Sequence, residues 1–464
     1  MYECFYTFEF EGEYLIYDYY NGVIFEISEK MYTFLRNRIN IYNDPQYENE
    51  RNSFDELIKE GYLLANDYLD ENDEESSAFL SFAPAYRCNL RCKYCFARYG
   101  SLYDGEIREY SSSSLKQMLD FFFYQAFPNR QNYRINFVSG GEPLVNFDII
   151  RQTVEYCEEI IVKRNINVKI WLCTNGTLLT EEICAYLDTH RMTIGISIDG
   201  PKPVHDRNRV NIMGSGTYDK IVGNIRQILD SKTLSSRFKG IWGLSVLNND
   251  NLNLTDIVTH HRDIGLRDAQ IKIERKVIPC DFDYEPYKKA YLSFMQHVIK
   301  EATKGDYSKL RLIMNAEDYL GKYLLRLITN QYTIKRCNAG KSKITICPNG
   351  DIYPCDSFVG IQEMKLGNMF VNPNISTVLK SIYLRECEPC KDCPLRYLCG
   401  GDCYYNSYIN TGSVNVVHPK MCDLLKYLCK LSIWGCYHLQ KEAKDTFAVI
   451  QAEMIRIDKI RQQI

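Results

Sequence analysis

From residue 79 the chain repeats one arrangement six times, a short apolar run followed by a helical pattern. Strands are expected at 79–84, 134–139, 168–174, 193–198, 241–247 and 269–275. Helices are expected near 113–126, 148–164, 180–190, 217–231, 253–264 and 285–303. Such alternation confines the fold class to α/β with a parallel sheet, because parallel neighbours require a crossover and the helix supplies it. The expected body is a partial, TIM-like (β/α)6 barrel over 79–310. Chemistry in such folds sits on the loops after the strands, so reactive residues are to be sought there.

The flanks read differently. Residues 1–65 begin with alternating Tyr6, Phe8, Phe10, then Leu15, Tyr17, Tyr19, then Val23-Ile24-Phe25. Asn21-Gly22 between the last two runs is a hairpin signal, and helical patterns follow at 28–38 and 53–60. Residues 66–78 are acidic and polar and are read as a linker. After a bridging region at 311–336, residues 337–437 are rich in cysteine and glycine, a composition with little core of its own that points to metal as the staple. A helix is expected over 438–464, with Leu439, Ala443, Phe447, Ile450, Met454, Ile457, Ile460 and Ile464 on its apolar stripe.

The chain has 464 residues, of which 19 are cysteines, and a net charge of −3. That balance gives no global reason to bind nucleic acid or an anionic membrane. No run of about 18 apolar residues suggests a membrane span, and the N-terminus lacks the features of a signal peptide. A cytoplasmic location is expected. Disulfides are disfavoured there, so clustered thiols read as metal or iron–sulfur ligands.

The first cluster is Cys88-Asn-Leu-Arg-Cys92-Lys-Tyr-Cys95, on the loop after the first barrel strand. Three thiolates can hold three irons of a cubane, and with no fourth cysteine nearby one iron stays open. A zinc site with a distant fourth ligand is the alternative. Ser139-Gly140-Gly141-Glu142-Pro143 follows the second strand and Thr174-Asn175-Gly176 the third. Ser197-Ile198-Asp199-Gly200 ends the fourth, followed by Arg207 and Arg209.

In these features the chain resembles the radical S-adenosylmethionine (SAM) superfamily. The resemblance implies a [4Fe–4S] cluster on Cys88, Cys92 and Cys95 whose open iron binds SAM. Cleavage of SAM would then yield a 5′-deoxyadenosyl radical, with the hard chemistry carried by the cofactor. Gly140, Gly141, Glu142 and Pro143 look like the motif that meets the SAM amino group. By the same resemblance Asn175 joins the SAM site, Ser197 meets the ribose, and Arg209, or else Arg207, meets the carboxylate.

The second cysteine group comprises Cys337, Cys355, Cys390-x2-Cys393-x5-Cys399-x3-Cys403 and Cys422, with Gly350 in register. It resembles a SPASM domain, the extension of many radical SAM peptide-modifying enzymes, and implies two auxiliary [4Fe–4S] clusters. Cys337, Cys355 and Cys403 would hold one; Cys390, Cys393, Cys399 and Cys422 would hold the other. Cys347 is either a fourth ligand of the first or a strand residue pointing elsewhere, and Cys387 is taken as a bystander. Asp356 matches the position of a proton-removing aspartate in anaerobic sulfatase-maturating enzymes, which makes it a candidate base.

In this company residues 1–65 resemble a winged-helix-like leader-peptide recognition domain that would add a peptide strand to its sheet edge. Arg36, Arg38 and Arg51 are too few and too mixed with acids for a DNA-binding face. The implied function is maturation of a ribosomally made precursor peptide by hydrogen abstraction and cross-linking, with a Cys-derived thioether as first choice. The implied reductant is a flavodoxin or ferredoxin. The alternatives are a carbon–carbon cross-link, formylglycine formation on a sulfatase, or, in another class, a non-catalytic iron–sulfur or zinc protein.

Overall fold

A computed structural model describes residues 5–63, 77–101, 103, 105, 109–138, 140–315, 317–371 and 383–463. Of the expected linker, 66–76 lies outside these residues, whereas Ser77 and Ala78 already belong to a strand. Cys4 and Ser139 also lie outside them. The chain divides into two compact units that interleave in sequence. One joins Met1–Asn72, Ile278–Arg336 and Tyr383–Ile464; the other joins Asp73–Val277 and Cys337–Ile382.

The first unit begins with an antiparallel sheet of β1 (Phe5–Phe10), β2 (Glu13–Asp18) and β3 (Val23–Glu26), in that spatial order. Helices α1 (Glu29–Ile41) and α2 (Glu48–Lys59) follow. The alternation puts Phe5 and Ile16 against Phe34, Leu35 and Leu63 in one small core. Arg38 is consumed by packing, its guanidinium 5.2 Å from the Phe5 ring.

The second unit is built on the expected alternation. Strands β4 (Ser77–Phe82), β5 (Asn132–Phe137), β6 (Asn167–Thr174), β7 (Thr193–Ser197), β8 (Trp242–Leu247) and β9 (Asp268–Ile273) lie side by side in sequence order, all parallel. Between them run α3 (Ser112–Asp120), α4 (Phe147–Arg164), α5 (Glu181–Thr189), α6 (Lys202–Asn208), α7 (Tyr218–Asp230) and α8 (Leu254–Asp263). Past α3 the chain continues as a π-helical turn over Phe121–Ala126. Leu80, Phe82, Ile135, Phe137, Leu172, Ile194 and Ile196 share one core with residues of these helices. The period of two turns Ser81, Asn136 and Cys173 to the opposite face.

The sheet extends further than the alternation foretells. Three short strands from the cysteine-rich segment, β10 (Lys343–Ile346), β11 (Asp351–Tyr353) and β12 (Gly367–Asn368), complete the order β12-β11-β10-β4-β5-β6-β7-β8-β9. β10 is parallel to β4, and the other two pairings are antiparallel. Ile344, Ile346, Ile352 and Leu366 are the reason, since all four are buried in the barrel core.

The rest of the first unit is helical: α9 (Glu285–Ala302), α10 (Ser308–Ile313), α11 (Tyr319–Thr329), α12 (Arg396–Cys399), α13 (Tyr404–Thr411), α14 (Pro419–Glu442) and α15 (Lys444–Gln463). The helix expected from 438 is the end of α14 plus α15, broken at Ala443. Leu439, Ala443, Phe447, Ile450 and Met454 are buried as the stripe requires. The N-terminal sheet packs on α14. Phe10 meets Tyr427 and Trp434 at 5.2 and 6.0 Å, and Trp434 Nε1 donates to Glu13 at 2.7 Å. Among the described residues no helix is long and apolar enough to cross a membrane.

Candidate active site

The loop after β4 carries Cys88, Cys92 and Cys95, all partly exposed. It is fastened along its length to the segment after α6: Arg91 N donates to Val210 O at 2.7 Å and Lys93 N to Asn208 O at 2.9 Å. Nitrogen donors face the sulfurs. Leu90 N lies 3.4 Å from Cys88 Sγ and Tyr99 N 3.4 Å from Cys95 Sγ. Asn175 Nδ2 and Arg209 Nη1 approach Cys88 and Cys92 Sγ at 4.0 Å. Burial raises the Cys88 thiol and pushes Cys92 up to about 11, against the lowering pull of Arg209. Thiols so placed ionise when a metal supplies positive charge. Three sulfurs on one loop, each met by an N–H donor, therefore fit a [4Fe–4S] cluster.

The glycines after β5 are dictated by close approach. Gly140 has φ +141°, and a Cβ there would lie 2.5 Å from the Ala83 Cβ; at Gly141 it would lie 2.0 Å from Arg87 O. The backbone of this turn thus presses against the cysteine loop. Glu142 does not point outward as a ligand group. It is buried and accepts from Leu144 N at 3.1 Å, Thr174 Oγ1 at 2.5 Å and Asn175 N at 2.7 Å. It locks the turn to the end of β6, and burial raises its pKa in spite of those three bonds. Pro143, also buried, opens the short turn that follows. Asn175 reaches Asn89 in the cysteine loop at 2.8 Å.

Arg209 and Arg207 separate clearly. Arg207 is exposed and donates to Asp250 O at 3.3 Å. Arg209 is buried, its Nε 3.3 Å from Asp199 Oδ1 without a hydrogen-bonding angle, and its guanidinium 5.4 Å from the Tyr94 ring. Asp199 also accepts from Tyr94 OH at 2.5 Å and Val246 N at 3.2 Å. Behind this pair stands His205. Its Nδ1 accepts from Asp199 N at 3.3 Å, its Nε2 lies 3.0 Å from Thr217 Oγ1, and Thr217 donates to Arg209 O at 3.1 Å. Tyr94 and Asp199 were visible in the motifs, yet sequence reasoning gave Asp199 no role; its pairing is a matter of distance in space. Cys173 lies beside Ser197, and its thiol is pushed up to about 11, by burial first and the Glu142 charge second.

Asp356 follows Cys355 in a tight turn and pairs with Lys343 Nζ at 3.3 Å. In the same turn Ser357 accepts from Arg275 at 2.7 Å, and Arg275 stacks at 4.9 Å on Phe96, next to Cys95.

The second cysteine group is divided between the units. Cys337 (exposed), Cys347 and Cys355 (both buried) belong to the barrel unit. Cys347 accepts from Tyr86 OH at 3.6 Å, and burial pushes its thiol up to about 12. The partners found for it are tyrosines and charged side chains rather than other cysteines. Cys390, Cys393, Cys399 and Cys422, in the helical unit, line one small cavity. A closed set of four thiols around one cavity fits a cubane with no open corner. Burial raises Cys390, Cys393 and Cys422, whereas Cys399 is lowered, chiefly by a hydrogen bond from Cys429. Cys403, in the same unit, is partly exposed. Cys387 is absent from the cavity lining, and its thiol donates to Tyr383 O at 3.5 Å. Among the described residues no three His, Cys, Asp or Glu side chains are grouped to hold a single ion; a cubane instead takes one thiolate per iron and spreads its ligands.

The Radical SAM superfamily profile matches residues 83–253, the span that holds the cysteine loop and the β5–β7 loops. A cysteine-type anaerobic sulfatase-maturating enzyme of Clostridium novyi (strain NT) is 26% identical over 348 residues, 70% of this chain and 86% of the relative. The antilisterial bacteriocin subtilosin biosynthesis protein AlbA of Bacillus subtilis (strain 168) is 26% identical over 350 residues, 70% of this chain and 66% of its own. The solved structure of native anSMEcpe with bound AdoMet and Cp18Cys peptide shares the fold, with a TM-score of 0.57 at 19% identity over 82% of this chain and 99% of that one. The chain is a radical SAM enzyme of the SPASM-type peptide-modifying group to which the anaerobic sulfatase-maturating enzymes belong. Its working cofactors are accordingly a [4Fe–4S] cluster and SAM.

Proposed function

We propose that this enzyme matures a ribosomally synthesised precursor peptide by taking hydrogen from a peptide carbon and closing a thioether from a cysteine sulfur onto it. Cys88, Cys92 and Cys95 would hold the cluster, which with SAM supplies the 5′-deoxyadenosyl radical that abstracts the hydrogen. Arg209, anchored by Asp199 and neighbouring Cys92, would bind the SAM carboxylate. The backbone of Gly140-Gly141 would meet its amino group, and Ser197 its ribose. Glu142 and Asn175 would hold the two loops in register around it. A thioether closes with loss of two hydrogens: one leaves as the atom taken by the radical, the other as a proton, and the electron left over would pass to an oxidised auxiliary [4Fe–4S] cluster of the cysteine-rich segment. Asp356, 3.3 Å from Lys343 Nζ, would take that proton from the substrate.

The observation that carries this reading is the N-terminal sheet. Among the described residues β3 pairs only with β2, so one edge of it has no strand partner. A leader peptide in extended form would pair with that edge by strand addition. Similarity to a bacteriocin biosynthesis protein supports the same substrate class. Formylglycine formation is the second reading, favoured by the sulfatase-maturating relative and by Asp356. Coexpression with a candidate cysteine-bearing precursor, followed by mass spectrometry, separates them. Loss of two hydrogens per link without a free aldehyde supports the thioether; an aldehyde product supports the alternative. Asp356→Asn is expected to lower turnover at least 100-fold with iron content unchanged; full turnover would remove the base role.

A further inference from the structure

Lys322 on α11 is a buried amine whose pKa is held well below its ordinary value by burial and by the neighbouring Arg336 and Arg326. It is 2% exposed, and its Nζ has no hydrogen-bond partner among the described residues. The ammonium rests over the rings of Tyr319 at 4.5 Å and Tyr323 at 4.8 Å. The nearby carboxylate is committed elsewhere: Asp402 Oδ1 accepts from Cys403 N at 2.7 Å and Tyr319 OH at 3.2 Å. Arg326, one turn further along α11, adds like charge and donates to Leu398 O at 2.5 Å and Cys399 O at 3.3 Å. An unpaired buried cation is destabilising unless an anion compensates it. The anion-forming group at hand is Cys399. Its Sγ lies 3.6 Å from Tyr323 OH, and it lines the four-cysteine cavity.

We propose that Lys322 is the built-in counter-charge of the auxiliary cluster held by Cys390, Cys393, Cys399 and Cys422, a positioning residue that raises that cluster's reduction potential through the Cys399 corner. The inference rests on the reading that those four cysteines hold a cluster. Each one-electron reduction adds one negative charge to a site already made anionic by four thiolates, and a fixed cation in a low-dielectric pocket favours the more negative state. Hydrogen bonds to a ligand sulfur act in the same direction. Tyr323 OH, 3.6 Å from Cys399 Sγ, would complete a polarised cap on one corner of the cube. The sign of the Lys322 contribution therefore depends on the cluster: a burden to the empty chain, an asset to the loaded one.

That sign change is the test. Lys322→Met, in the full chain stripped of iron, is expected to melt at the same or a higher temperature than the parent. In the reconstituted holoenzyme, at fixed solution potential and followed by electron paramagnetic resonance, it is expected to lower the reduced-to-oxidised ratio of one cluster about tenfold. That equals about 59 mV for a one-electron couple. The signals of the other clusters should not move. Tyr323→Phe, which keeps the charge and removes one donor, should shift the same cluster by less. An unmoved potential at full iron content overturns the inference alone, as does a variant that loses stability equally with and without iron. If Cys399→Ala retains all the iron of the parent, the ligand assignment fails and the inference falls with it.

Discussion

The two cysteine groups treat their metal in opposite ways. Cys88, Cys92 and Cys95 sit partly exposed on one loop, held by hydrogen bonds to neighbouring turns and lying over a barrel that has its own core. Cys390, Cys393, Cys399 and Cys422 surround a cavity, and the chain between them contains only short helices and turns. On the proposed ligand assignment the first arrangement would keep a corner for a small molecule and leave the fold to the barrel. The second would close every corner and make the metal part of the fold. The lesson is that the number of thiols on one site separates a reactive cluster from a structural or electron-handling one, as it does for zinc.

The largest expected effect breaks that comparison directly. Replacing Cys88, Cys92 and Cys95 together by alanine should abolish turnover and remove about four irons per chain of about twelve, while the melting temperature of the protein hardly changes. Replacing Cys390 and Cys393 should remove a similar amount of iron and also open the 390–422 segment to protease. Iron analysis with limited proteolysis checks both. Equal protease resistance in the two variants would show that the closed site is not holding its segment together.

Much of this was legible in the sequence because it is local. Thiol spacing, the Gly140-Gly141 turn and the strand–helix period are all set within a few residues, and the six barrel strands stand within two residues of their expected starts. What was not legible depends on partners distant in sequence. The segment 343–368 joins the barrel sheet because four apolar side chains complete a core built by residues far earlier in the chain; within its own stretch cysteine and glycine mask that signal. Glu142 illustrates the same limit at the site. Its motif implied contact with SAM, whereas its carboxylate is consumed in bonds to Leu144, Thr174 and Asn175. Cys347 offers no sequence cue to its tyrosine environment.

A pH series sharpens the contrast, because the open site leans on buried neutral histidines. His205 and His261 are both held down to about 4 from an ordinary 6.5, chiefly by burial. His205 can accept from Asp199 N only while Nδ1 carries no proton. A folded pKa below the unfolded one means that the unfolded chain binds more protons between those values. Stability is thus fully present above pH 6.5 and is lost as pH falls toward 4. At pH 5 the loss should be about 2 kcal/mol for each histidine. Denaturant unfolding of the iron-free chain at pH 7 and 5 measures it, and His205→Gln should remove its share of the slope. A flat profile would mean that these imidazoles titrate in the fold as they do in the unfolded chain.

The smallest expected effect tests the border of the closed site. Cys387 and Cys390 are three residues apart and both buried, yet only Cys390 lines the cavity; Cys387 turns its thiol to the Tyr383 carbonyl at 3.5 Å. Cys387→Ala therefore removes one weak hydrogen bond and one sulfur's worth of packing, and should cost under about 1 kcal/mol with no loss of iron. Cys390→Ala removes a ligand, so iron should fall by as much as a whole cluster. If both variants lose iron alike, Cys387 is a ligand and the cube is seated one turn nearer the N-terminal side of the segment than the cavity places it. If neither does, the four-cysteine cavity is empty in the working enzyme, and the distinction between an open and a closed site disappears.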